Sequence, residues 1–243
     1  MNKLNIVHLY PDLLNLYADQ GNIRTLEHYA KKINIEINVS HVSLDEKFPD
    51  LCDLIIIGGG QDKEQKKVAK DLLRHSDKIT KLIDNNIPAL AVCGGYQLFG
   101  KSYKISDELT LEGLGIFDCV SIASTGVENR LTGDVLLRTG DKFGTIVGFE
   151  NHSARTYLGS TANPLGSIVS GFGNNGVDGT EGIMYKNAIG TYLHGPILPR
   201  NEKLTLFLLK KSLINFSIDL DKFEMIQEPA SANAFLHAKR ILL

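Results

Sequence analysis

Ile87-Pro88-Ala89-Leu90-Ala91-Val92-Cys93-Gly94-Gly95-Tyr96-Gln97 is the stretch on which the reading of this chain turns. Residues 89–92 form a short uninterrupted apolar run, the pattern of a strand buried on both faces. The run stops at Cys93, and two glycines follow, where the backbone can turn sharply with no Cβ in the way. A helix then begins at once. Strand, cysteine, glycine turn and helix together make a nucleophile elbow, which exposes its central side chain at the carboxyl end of a sheet. Ligands of open α/β sheets bind at those ends. Cys93 is therefore a candidate nucleophile, against the alternative of a small buried residue, the common fate of a free cysteine.

Outward from the elbow, apolar runs alternate with helical patterns, which predicts an α/β protein. Residues 4–9 read as a strand, 22–32 as a helix, 35–42 as a second strand and 53–57 as a third, nearly all apolar. That third strand ends in Gly58-Gly59-Gly60, and a charged helix is expected from about 61 to 84. From 109 to about 148 the apolar residues alternate with Gly and Thr between them, as in antiparallel strands. The segment 170–181 is rich in Gly, Asn and Asp and predicts a mobile loop. Residues 188–193 read as a strand, and 200–215 and 230–242 as helices. There are no internal repeats and no long linker, so one domain over 1–243 is expected, with a core at about 4–216 and a helical extension at 217–243.

Composition narrows the class. A net charge of -2 and a pI near 6.4 give no electrostatic reason to expect nucleic acid or an anionic membrane as partner. Three cysteines, Cys52, Cys93 and Cys119, are too few and too unevenly spaced for a disulfide framework or a zinc ribbon, and no metal site is expected. No run of roughly 18 apolar residues occurs, and the amino terminus does not read as a signal peptide. The expectation is a cytoplasmic protein without a transmembrane segment.

A thiol nucleophile needs a base and an oxyanion site. The N–H of Gly94, on the residue after the nucleophile, can donate to an oxyanion, and a second donor is expected from Gly59 or Gly60. His194, in Gly190-Thr191-Tyr192-Leu193-His194-Gly195-Pro196, follows a strand; His152 lies in Gly148-Phe149-Glu150-Asn151-His152-Ser153. Residue chemistry alone leaves these two histidines equal as candidate bases, and either can instead be a satisfied structural residue.

The strand-Cys-Gly-Gly-Tyr-Gln elbow with a distant strand-end histidine resembles the class I (triad) glutamine amidotransferases, in the cobyric-acid-synthase-like branch. Gly58-Gly59-Gly60-Gln61-Asp62 and the two histidine segments fit that branch. Tyr10-Pro11-Asp12-Leu13-Leu14-Asn15-Leu16-Tyr17-Ala18-Asp19-Gln20-Gly21-Asn22, Asn129-Arg130-Leu131-Thr132-Gly133-Asp134 and His194-Gly195-Pro196-Ile197-Leu198-Pro199 narrow it to the glutaminase subunits of lipid II isoglutaminyl synthases. The resemblance runs from about residue 4 to 216. It implies a flavodoxin-like three-layer fold, a mixed and mostly parallel sheet flanked by helices. It also implies Cys93 as nucleophile, His194 as base and L-glutamine as substrate.

Arg130 matches the family's substrate-holding arginine, and a guanidinium can grip an α-carboxylate bidentately; its alternative is a surface salt bridge. Gln97 matches the glutamine that faces substrate, its alternative being a helix-surface residue. Asn151 and His152 are expected to line or brace the pocket. One departure bears on mechanism: class I enzymes place a Glu two residues after the base, and here that position is Pro196, a loss the branch shares.

No Gly-x-x-x-x-Gly-Lys-Ser/Thr phosphate loop occurs, so the chain is not expected to bind ATP or to carry a cofactor. Ammonia made here needs an acceptor. The resemblance implies a heterodimer with a MurT-type Mur ligase subunit, which would use ATP and Mg to amidate D-glutamate of the lipid II stem peptide. A cysteine hydrolase of the same flavodoxin-like layout acting on another amide is one rival reading, and two more remain. One is a corrinoid-pathway amidotransferase, normally fused to an ATP-using synthetase domain for which 243 residues leave no room. The other is a non-catalytic binding module of the same fold.

Overall fold

In the computed structural model, strand and helix alternate through the first hundred residues: β1 (Lys3–Leu9), α1 (Gln20–Lys32), β2 (Glu36–Val42), β3 (Leu54–Ile57), α2 (Asp62–Leu73), α3 (Ser76–Asp84), β4 (Ala89–Val92) and α4 (Gly94–Phe99). The structure describes residues 3–16, 19–124, 126, 129–216, 223 and 229–242. Of the expected extension, 217–222, 224–228 and 243 lie outside the described residues; α6 (Pro229–Leu242) lies within them.

The remaining strands are β5 (Ser102–Lys104), β6 (Thr110–Glu112), β7 (Cys119–Ala123), β8 (Leu131–Arg138), β9 (Thr145–His152), β10 (Ala154–Leu158), β11 (Gly166–Ser170), β12 (Thr180–Glu181), β13 (Ile183–Tyr185) and β14 (Ala188–Thr191). A 3-10 turn at Leu198–Arg200 leads into α5 (Glu202–Ser212). The main sheet has the order β13-β14-β4-β3-β1-β2 and is parallel throughout except at β13. β3, β4 and β14 are buried at every residue, as strands covered on both faces must be, and this is why they read as apolar runs. Two smaller four-stranded sheets, β10-β7-β5-β6 and β12-β11-β8-β9, hold the alternating half of the sequence. The α/β class with a mostly parallel sheet stands, but the strands divide among three sheets rather than one.

Two local expectations are corrected. The helix expected over 61–84 breaks at residues 74–75. There the N–H groups of Arg74 and His75 bond to the carbonyls of Asp71 and Leu72, three residues back, which tightens the turn. The Asp71 carboxylate is held from outside the helix by the Tyr10 hydroxyl at 2.8 Å. The segment 170–181 carries too many side-chain anchors for the mobile loop expected. Glu150 accepts from the N–H groups of Phe172 (2.6 Å) and Gly173 (2.9 Å), and buried Asn174 and Asn175 bond to Gly182 and to the Thr156 carbonyl. Turn-forming residues here build a fixed cap over β10 rather than a free loop.

Candidate active site

Cys93 stands at the end of β4 with φ +50° and ψ -104°, a conformation that costs a non-glycine residue free energy and is held by its surroundings. The N–H of Cys93 donates to the Thr191 carbonyl at 2.8 Å, and that of Gly95 to the Gly58 carbonyl at 3.1 Å. The neighbouring strands therefore fix the elbow from both sides. Glycine is required at 95 by space alone, since a Cβ there would lie 2.7 Å from Ile57 Cγ2 and 2.9 Å from the Ile57 carbonyl oxygen. This close approach brings the turn after β3 against the elbow.

His194 is fully buried, three residues beyond β14. Its N–H donates to the Phe149 carbonyl at 2.7 Å, so β9 sets the direction of the segment. A Cβ added to Gly59 would lie 3.1 Å from both Cys93 Cβ and His194 Cε1, so the three residues meet at one point. Burial works against a charged imidazole here, but the Cys93 sulfur and the Asp19 carboxylate outweigh it and hold the His194 pKa up at about 10. Asp19 Oδ1 is 3.9 Å from His194 Nδ1, an ion-pair distance rather than a hydrogen bond.

His152 lines the same cavity, but its ring is otherwise engaged. Nδ1 lies 2.7 Å from the Ala154 carbonyl and Nε2 3.3 Å from Glu150 Oε2, and the ring stacks on Tyr192 at 3.6 Å. Both nitrogens are thus turned to the wall, and of the two histidines it is His194 that faces the sulfur.

The glycine turn sorts itself by its N–H directions. Gly59 N–H donates to Asp19 Oδ2 at 2.7 Å, so it is spent and is not an oxyanion donor in this structure. No described residue accepts from the N–H of Gly60 or of Gly94, and Gly60 N lies 3.0 Å from the position of a Cβ on Gly94. Those two N–H groups are therefore the candidate oxyanion donors: Gly94 follows Cys93 in the chain, and Gly60 lines the same cavity as Cys93. Gln65 was not singled out by sequence. It is buried on α2, and its Nε2 donates to the Gly60 carbonyl at 3.1 Å, which holds the turn in place.

A cavity of about 510 Å³ opens in front of Cys93, and Gly60, Gln65, Gln97, Arg130, Asn151 and His152 are among its lining residues. Arg130 is exposed at its mouth and held by Asn151: Nε donates to Oδ1 at 2.8 Å and an Nη2 hydrogen to the Asn151 carbonyl at 3.1 Å. Asn151 thus acts on the guanidinium through Nε and Nη2. Gln97 is not a helix-surface residue. It is 3% exposed, donates from Nε2 to the Tyr192 hydroxyl at 3.2 Å, and leaves Oε1 without a protein partner in a cavity-lining side chain. The Tyr192 hydroxyl continues through Thr156 to Ser121 by two contacts of 2.7 Å, a buried chain that fixes Gln97.

Among the described residues no group of three or more His, Cys, Asp or Glu side chains is placed to hold a metal ion. None of their helices is long and apolar enough to cross a membrane.

The chain is similar to known glutamine amidotransferases. Residues 5–202 match the CobB/CobQ-like glutamine amidotransferase domain. The chain is 45% identical, over its whole length and 96% of the relative's, to the Staphylococcus aureus lipid II isoglutaminyl synthase (glutamine-hydrolyzing) subunit GatD. It is 42% identical, over 87% of its length and 81% of the relative's, to the Streptococcus pneumoniae protein of that name. A probable cobyric acid synthase of Methanothermobacter thermautotrophicus is 30% identical, but the chain spans 34% of it. Among solved structures, PurLQS from Thermotoga maritima superposes with a TM-score of 0.58 at 18% identity, over 89% of this chain and 99% of that one, a likeness of fold.

Proposed function

The chain belongs to the CobB/CobQ-like glutamine amidotransferase family, and on that footing we propose that it is the glutaminase subunit of a lipid II isoglutaminyl synthase. In this reading it works in the cytoplasm, hydrolyses L-glutamine to glutamate and ammonia, and needs no cofactor of its own. The ammonia passes to a MurT-type Mur ligase subunit. That partner binds ATP and Mg, activates D-glutamate of the lipid II stem peptide and converts it to D-isoglutamine for peptidoglycan. Support for the pathway comes from relatives 45% and 42% identical that carry this name and are subunits.

The convergence of Cys93 and His194 on Gly59 carries the chemistry. The Arg130 guanidinium and Gln97 Oε1 orient glutamine in the cavity. The Cys93 sulfur, its proton taken by His194, attacks the side-chain amide carbon, and the oxyanion is met by the N–H groups of Gly60 and Gly94. His194 returns the proton to the nitrogen as the C–N bond breaks, releasing ammonia and leaving a glutamyl thioester. A water that gives its proton to His194 then attacks the thioester, the C–S bond breaks, and glutamate leaves with the thiol restored.

A glutaminase assay with and without the purified ligase tests the reading. Wild type with the ligase is expected to release glutamate and to amidate lipid II, and Cys93→Ala to do neither. Glutamate release by Cys93→Ala at the wild-type rate would sink the mechanism. Amidation of a corrinoid precursor in place of lipid II would move the chain to the other pathway.

A further inference from the structure

We infer that Asp19 is the acidic positioning residue for His194, supplied from the N-terminal segment in place of the acid absent at position 196. The inference rests on the glutaminase reading above. Asp19 occupies the N-cap position of α1, where an aspartate ordinarily spends its carboxylate on the first N–H groups of the helix. Here it makes no such bond. The fully buried side chain turns the other way, with Oδ2 on the Gly59 N–H at 2.7 Å and Oδ1, which accepts no hydrogen bond, facing His194 Nδ1 at 3.9 Å. A buried carboxylate oxygen without a hydrogen-bond partner is costly, and among the described residues it is the His194 imidazole that faces this one.

The rest of Asp19-Gln20-Gly21-Asn22 explains how the carboxylate reaches that place. Gly21 lies against Pro196, so closely that a Cβ on it would fall 2.4 Å from Pro196 Cγ. Buried Asn22 accepts from the Leu198 N–H at 3.0 Å. Leu16 N–H bonds to the Gly59 carbonyl at 2.9 Å. The start of α1 is thereby clamped to the segment that follows His194 and to the glycine turn. Position 196, the family's acid position, is filled by the ring that touches Gly21, and the acid arrives from α1 instead. With Nδ1 turned to Asp19, Nε2 is the nitrogen left for the sulfur, and the same carboxylate holds the turn that presents Gly60 N–H. Base and oxyanion donor are set by one side chain.

Among the described residues, Cys93 and Asp19 are titratable groups that face the His194 ring, so the test removes the first to read the second. In the full chain carrying Cys93→Ala, with 15N-labelled histidine, the His194 imidazole is titrated by NMR. Asp19→Asn in the same background is expected to lower the midpoint by about one pH unit or more, since the carboxylate is what then favours the charged ring against burial. In the active enzyme Asp19→Asn is expected to lower kcat about tenfold or more, part of the 10²–10⁴-fold that general acid–base catalysis supplies, with KM little changed and Asp19→Glu restoring part of the loss. An unmoved midpoint overturns the inference even if kcat falls, since Asp19 would then only brace the turn. Should Asp19→Asn fail to fold, Asp19→Ser in the same background takes its place, and a midpoint unmoved from that of the Cys93→Ala protein overturns the inference. The titration needs no turnover, so its failure is distinct from failure of the glutaminase reading.

Discussion

Replacing Arg130 with alanine is expected to raise the KM for glutamine about 10- to 100-fold and to leave kcat near its wild-type value. The guanidinium has five N–H donors. Asn151 takes two of them, through its side-chain and backbone oxygens, and so fixes the plane of the fork. Three donors remain, two of them on Nη1, enough to meet a carboxylate. A charge-assisted hydrogen bond contributes about 1.5–3 kcal/mol. Arg130 is exposed, so water competes, and the net is taken as one such bond rather than two. At about 1.4 kcal/mol per decade this gives the range stated. Asn151→Ala, which removes one of the two oxygens, is expected to raise KM by less, and Arg130→Ala/Asn151→Ala should be no worse than Arg130→Ala alone, because Asn151 acts through the arginine. Arg130→Lys should not rescue, since an ammonium has no fork. Initial rates of glutamate release over a range of glutamine, for wild type and the four variants with ligase present, decide it. An unchanged KM for Arg130→Ala, or additive effects in the double variant, would refute the reasoning.

Three other predictions follow from the same geometry. Gly59→Ala places a methyl 3.1 Å from both Cys93 Cβ and His194 Cε1, and is expected to reduce kcat far more than it reduces the melting temperature; equal kcat would put the reacting groups elsewhere. Gly95→Ala drives a methyl into Ile57 on β3 and should cost about 1–3 kcal/mol of stability, read as a lower urea midpoint at unchanged slope. Burial raises the pKa of Glu181 from 4.5 to about 7, although Thr191 and Tyr192 both donate to Oε1. The unfolded chain then loses this proton near 4.5 and the folded one only near 7, so the stability it contributes is present below 4.5 and lost as pH rises to 7. Glu181→Gln keeps the acceptor oxygen and should flatten that part of the stability profile; an unchanged profile from pH 4.5 to 7 would refute it.

What could be read from sequence and what could not divides along the range of the interactions. β3, β4 and β14 were legible because a strand buried on both faces has no polar position to break its apolar run, and the elbow because Gly94-Gly95 is local chemistry on the strand's own chain. The glycine turn was legible as a turn, but which N–H it keeps free was not. Gly59 and Gly60 are equivalent in sequence and differ only in what stands opposite, and Asp19 stands opposite Gly59 from 40 positions away. The missing acid is the same case at longer range. A search at position 196 finds proline, while the carboxylate that faces His194 is 175 positions upstream, where it reads as an ordinary helix cap. The segment 170–181 differs from its local pattern for the opposite reason. Its Gly, Asn and Asp residues favour turns in any setting, and only the buried Glu150 on a separate strand determines that these turns are held. In this molecule the candidate nucleophile is a local feature, whereas Asp19 meets Gly59 and faces His194 only with the start of α1 docked against the glycine turn and the segment after His194. A variant that loosens that docking, such as Gly21→Val against Pro196, should therefore lose turnover while Cys93 and its elbow remain intact.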